Sequence, residues 1–186
     1  MNAMRLNAMC WIFAARGLVV LWLITIAVTA AQPTPPIPFP RDYRSWQHVR
    51  TIVVGTEHRS FASRGGIHHY YANEKAVEGY RSGHFPNGSI IVDEGILTED
   101  GTGPMKGIVM EGHRRSLDVM VKDDRLYPDT GGWGFEHFED TEATGKLDVK
   151  RQTQCYQCHA QNKDRDHVFS KIRVPAFAPS AGDQKK

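Results

Sequence analysis

Ile67-His68-His69-Tyr70-Tyr71-Ala72-Asn73, followed at once by Glu74-Lys-Ala76-Val77-Glu-Gly-Tyr80-Arg81, contains both kinds of element from which the chain is built. Residues 67–71 carry the β-branched and aromatic content of a strand, in which His68 and His69 point to opposite faces. After Asn73 the period changes. Ala76, Val77 and Tyr80 share one helical face, Asn73 is placed to cap the start and Gly83 to end it, so 74–81 reads as a helix. Outward from this pair the same strand signal recurs at 49–54, 89–92, 107–111, 116–121 and 133–138, with Gly, Asp and Pro between the runs. A second helix is expected at 155–162. The class is therefore α+β, a mostly antiparallel β-sheet with a few short helices, the last of them near the C-terminus.

At 186 residues the chain has material for one core, and no repeat argues for a second domain. Residues 1–30 have the three parts of a secretory signal peptide in order: Arg5 and Arg16 with no acid, an apolar run from Gly17 to Ala31, and the small residues Val28 and Ala30 before the expected cut. The run is shorter than the ~20 residues of a usual membrane span. An uncleaved anchor is the alternative, because residues 8–15 are also largely apolar. Residues 31–40 form a Pro-rich stretch expected to be an extended tether, 41–177 the folded domain, and 178–186, small and polar, a disordered tail. With Arg5 and Arg16 removed, the rest of the 23 basic residues balance the 21 acidic ones, which argues against a nucleic-acid partner. Cys10 leaves with the leader too, so the mature chain keeps Cys155 and Cys158 alone.

The chemistry lies in Cys155-Tyr156-Gln157-Cys158-His159. Thiols three residues apart on a helical turn point the same way, so both can bond the vinyl groups of one haem while the adjacent His159 meets its iron. A zinc site from Cys155, Cys158, His159 and His167 fits less well, since structural zinc takes two spaced ligand pairs. A redox dithiol lacks its βαβ setting, and a disulfide over so short a loop constrains little. Gly65-Gly66, Gly101-Thr-Gly103 and Gly131-Gly132 read as turns, because none links a strand to a helix as a nucleotide loop does. One covalent haem c, with His159 as the metal ligand, is the expected cofactor.

The sixth iron position separates electron transfer from ligand chemistry. No Met follows the motif, so a ligand has to come from Met105, Met110, Met120 or a His. Met110 and Met120 read more simply as core, and His48, His58, His84, His113 and His137 as surface or turn residues. Either His68 or His69 is a candidate for the pocket, according to which faces inward.

Taken in order, Tyr43-Arg44-Ser-Trp46, Gly66-Ile-His-His-Tyr-Tyr71, Gly83-His-Phe85-Pro-Asn-Gly88, Val121-Lys122-Asp123, Gly131-Gly-Trp133-Gly-Phe135, the haem motif and Asp166-His-Val-Phe169-Ser-Lys171 resemble the cytochrome P-460 family, itself similar to the beta-type cytochromes c′. The resemblance implies a periplasmic homodimer with one five-coordinate c-type haem, His159 proximal, and a soluble redox partner. Cytochromes P-460 oxidise hydroxylamine with a lysine bonded to the haem edge, whereas the beta-type cytochromes c′ lack that bond and bind gases such as nitric oxide. The position of the lysine falls on Asp93, which cannot make the amine link, leaving Lys75 or Lys106 as substitutes, and a pocket arginine falls on His68. His68 and Asp93 are thus the expected distal residues, with Phe61 and Phe135 as apolar pocket wall. The function so implied is binding or redox transformation of a small nitrogen oxide; a six-coordinate electron-transfer cytochrome is the alternative.

Overall fold

Five strands follow one another in sequence and in space. The computed structural model describes residues 35–140 and 142–172; the leader and the tail lie outside them. Among the described residues, β1 (Gln47–Val54), β2 (Gly66–Ala72), β3 (Ile90–Asp100), β4 (Val109–Lys122) and β5 (Trp133–Glu139) form one antiparallel sheet in the order β1-β2-β3-β4-β5. A short helix α1 (Phe61–Arg64) precedes β2, α2 (Glu74–Ser82) follows it, and α3 (Val149–His159) comes after the sheet. The expected class, a mostly antiparallel sheet with few helices, is the one adopted.

Two of the expected strands are one. The expected runs 107–111 and 116–121 join in the single long β4, which starts at Val109, and 89–92 overlaps only the beginning of β3, which starts at Ile90. Glu94, Glu99, Asp100 and the Gly112–Arg115 run weaken the local strand signal, but the two arms pair from Ile90↔Val121 out to Asp100↔Val109. Register shifts around Ile96 absorb the irregularity, so the ladder outweighs propensity. The last helix also begins earlier than expected, at Val149, where the Asp148 side chain accepts the Arg151 N–H at 2.8 Å. Beyond His159 the chain tightens into a 3₁₀ segment, Ala160–Arg165, kinked at Asn162.

Alternation along the strands gives the sheet two apolar faces. On one, Val49, Ala72, Ile91, Trp133 and Phe135 pack with Ala76, Phe85 and Val168. On the other, Val92, Leu117, Val119 and Phe138 pack with Ile37, Tyr43 and Tyr127. Glu94 is buried on this second face, where it accepts the Tyr43 hydroxyl at 2.7 Å and pairs with Arg44. Residues 35–40 of the segment expected to be a tether are part of this packing: Ile37 is 7% exposed, and the Phe39 ring meets Phe138 edge-on at 5.1 Å. Its prolines keep it extended, and the apolar residues between them anchor it. The core therefore starts before Arg41.

Helix α2 is set by the residues that marked it in the sequence. Asn73 Oδ1 accepts from Ala76 N at 2.9 Å and from Ile90 N at 3.0 Å, while its Nδ2 donates to Gly88 O at 2.9 Å. Gly83 closes the helix at φ 84, a conformation that costs glycine little. One cap thus fixes both α2 and the start of β3.

Candidate functional site

Helix α3 brings Cys155, Cys158 and His159 to a cavity of about 440 Å³, a volume in the range of cofactor sites. Ile91, Met120, Phe135, Val168 and Phe169 supply its apolar lining. Both thiols are free, and burial pushes that of Cys155 up. His159 donates its Nδ1–H to the His167 carbonyl at 2.8 Å, so Nε2 carries the lone pair. Burial moves the ring toward its neutral form, against the opposing effect of that hydrogen bond. Phe135 and Phe169 hold the imidazole at centroid distances of 5.1 and 4.9 Å.

The accepting carbonyl is itself held in place. Asp166 and His167 both adopt positive φ, 48 and 66, which non-glycine residues reach only under constraint. The constraint is Asp166, whose carboxylate accepts from the buried Lys122 at 2.9 Å and from Phe85 N at 2.9 Å, and whose carbonyl accepts from Trp133 Nε1 at 2.8 Å.

Strand register builds a polar wall on the same cavity. Tyr70, Asp93, Asp118 and His137 are successive cross-strand partners on β2, β3, β4 and β5. Arg64, at the end of α1, bridges the two carboxylates, reaching Asp93 at 2.5 Å and Asp118 at 3.0 Å. His137 Nδ1 donates to Asp118 at 2.6 Å, and this bond raises the pKa of the ring. Burial alone would raise the pKa of Asp118, but His137 and Arg64 outweigh it and hold it below the usual range. Burial also works against the Arg64 charge, and the two carboxylates overcome it.

His68 and His69 divide as strand parity requires. His69 faces away, bonded to Thr51 and Glu111, while His68 is 2% exposed on the side of the cavity. His68 is not on the wall itself. It stands behind Asp93, donating Nδ1–H to Asp93 at 2.8 Å and Nε2–H to the Arg64 carbonyl at 2.7 Å. Asp93 and Phe135 do line the cavity, but Phe61 does not: it is 40% exposed and folds over Gly65. Among the described residues no lysine lines the cavity; Lys75 donates to the Asn87 carbonyl and Lys106 lies on the β3–β4 connection. Arg64, Tyr70 and Asp118 line the cavity and were not singled out in the sequence; His58, read there as a surface or turn residue, lines it too, and His137, read likewise, stands behind Asp118. No local pattern marks them, since strand register brings Tyr70, Asp118 and His137 together and the α1 segment adds Arg64 from outside the ladder.

A family model described as Cytochrome P460 matches residues 40–170. The chain belongs to this family. No curated protein matches it. Membership in the cytochrome P460 family places the chain in a haem-binding class, and the residues fit such a group: two thiols one helical turn apart, an imidazole with a free Nε2, and an apolar cavity beside them. Zinc is less well served. Among the described residues no three His, Cys, Asp or Glu side chains converge, and the His167 ring lies against Gly131 and Tyr156.

Proposed function

We propose that this cytochrome P460 family member is an exported, periplasmic mono-haem c-type protein that binds or redox-transforms a small nitrogen oxide on a five-coordinate haem. Cys155 and Cys158 would carry the thioether bonds and His159 would ligate the iron. When bound, the haem would supply the redox-active metal and one open coordination position. The observation that carries this reading is that one cavity takes both the motif residues and the Arg64-Asp93-Asp118 wall.

The chain's own residues have separable tasks. The His167 carbonyl orients the His159 ring and increases its basicity by accepting Nδ1–H. Phe135, Phe169, Ile91 and Val168 exclude water from that side. Arg64 and Tyr70 provide hydrogen-bond donors toward an occupant. By family resemblance the molecule works as a homodimer served by a soluble redox partner.

The purified ferrous protein is expected to give a five-coordinate high-spin spectrum and to bind carbon monoxide. A six-coordinate low-spin spectrum indifferent to carbon monoxide would overturn the proposal in favour of an electron carrier. One observation supports that second reading, namely that the Met120 thioether lines the cavity. His68 is unsuited to the role, with both ring nitrogens engaged, and Met105 and Met110 lie outside the cavity. A carrier closed by Met120 would become reactive to carbon monoxide on Met120→Ala.

A further inference from the structure

The polar wall has already paired its acceptors. Asp93 receives His68 on Oδ1 and Arg64 on Oδ2; Asp118 receives His137 on Oδ1 and Arg64 on Oδ2. Each carboxylate is thus bonded at both oxygens by groups that are cationic or can become so, and at Asp118 these hold the carboxyl below its usual range. Glu136, which also lines the cavity, spends Oε1 on the N–H groups of His137, Lys146 and Leu147. His68 has a carboxylate at one ring nitrogen and a carbonyl at the other, so both must donate and the ring is an imidazolium without a lone pair to offer. At the cavity's edge, His58 Nδ1 accepts the Ser60 N–H at 3.2 Å, which leaves its Nε2 as the protonated nitrogen of the neutral ring.

Donors, by contrast, remain. Arg64 commits one N–H of each terminal nitrogen to a carboxylate, yet its side chain is 42% exposed where it lines the cavity. The Tyr70 phenol stays protonated, its pKa raised by burial and by Asp93. The two wall carboxylates are offset as well. Arg64 and, behind the wall, His68 balance Asp93 and Asp118, His137 adds positive charge when protonated, and the further carboxylate on the lining, Glu136, is met by three backbone N–H groups.

We propose that this wall selects a small hydrogen-bond-accepting anion of the nitrite class over a proton-donating ligand such as hydroxylamine. The proposal rests on the reading of the cavity as a haem site and narrows its ligand. An anion gains charge-assisted bonds from Arg64, whereas a ligand that must lose a proton meets Asp93 and Asp118 with both oxygens already bonded to cationic or potentially cationic groups, and Glu136 with Oε1 held by three backbone N–H groups.

The test uses the haem-loaded protein. Haem content and carbon monoxide binding to the ferrous form are measured first, and a protein without haem would overturn the parent reading. The ferric protein is then titrated with sodium nitrite and with hydroxylamine at matched ionic strength, following the haem spectrum. Nitrite is expected to bind at least about tenfold more tightly. Arg64→Gln should weaken nitrite binding by about tenfold to a hundredfold, and Asp93→Asn, which leaves the wall more positive, should tighten it. Arg64→Lys, keeping the charge without the fork, should fall between wild type and Arg64→Gln. Tighter binding of hydroxylamine than of nitrite by the wild type, or weaker nitrite binding in Asp93→Asn, would overturn the anion assignment while leaving the haem reading intact.

Discussion

His68 illustrates how much one residue's partners decide. Its place on the inward face follows from strand parity, but its role follows from Asp93 on the neighbouring strand and from the Arg64 carbonyl, neither of which parity reveals. Burial lowers its pKa, and the bond to Asp93 overcomes burial, so the folded value lies above the ordinary 6.5. The sign follows from linkage: the charged ring contributes all its stabilisation below about 6.5 and loses it as pH rises through the raised folded value. Asp118 acts in the opposite sense, its lowered pKa giving stabilisation that is lost as pH falls through the folded value. The urea midpoint is therefore expected to fall on the alkaline side of neutrality, and His68→Gln should flatten that fall while leaving the part due to His137. Equal alkaline slopes in variant and wild type would show that His68 is not charged in the fold. The motif residues Cys155, Cys158 and His159 were legible because their chemistry is adjacent in sequence. Arg64, Asp93, Asp118 and His137 come from α1, β3, β4 and β5, and no window of sequence holds them together.

At the scale of elements, the boundaries that sequence reading found are those fixed by local hydrogen bonds. Asn73 and Gly83 bracket α2 through a side-chain cap and a left-handed turn, both within reach of neighbouring residues. The boundaries it missed are those fixed at long range. β3 and β4 run through acidic and glycine-containing stretches because each supplies the other's ladder partners, a circumstance invisible to either strand alone. Helix α3 is the exception, since its start is fixed locally by the Asp148 cap on the Arg151 N–H, outside the window that the cysteine motif drew attention to. Asn73 spans both cases, since it caps α2 and also accepts the Ile90 N–H at the head of β3. Asn73→Ala is thus expected to cost about 2 kcal/mol, at the upper end of cap losses, because two buried-side donors lose one acceptor. Equilibrium denaturation followed by circular dichroism measures this loss; a loss of a few tenths would mean that the Ile90 contact adds nothing.

Across the whole molecule, the two ends of the described chain cover opposite faces of one sheet. Helix α3 and Val168 close the face that holds the cavity, while Ile37, Phe39 and Tyr43 close the other. A five-stranded sheet with only one face covered would leave Val92, Leu117, Val119 and Phe138 in water, so the Pro-rich segment performs the task that a helical layer performs in many α+β folds. The two layers meet through shared strands: Asp93 faces the cavity, and its neighbour Glu94 faces the N-terminal segment, where it pairs with Tyr43 and Arg44. Loosening the far layer should therefore disturb the strand that carries the polar wall. Ile37→Ala is expected to cost about 2 to 4 kcal/mol as a core truncation, measured by the urea midpoint, and to speed hydrogen exchange in β3 as well as in the N-terminal segment. Faster exchange confined to residues before Arg41 would mean that the two faces are energetically independent, and an unchanged midpoint would mean that the segment is a tether after all.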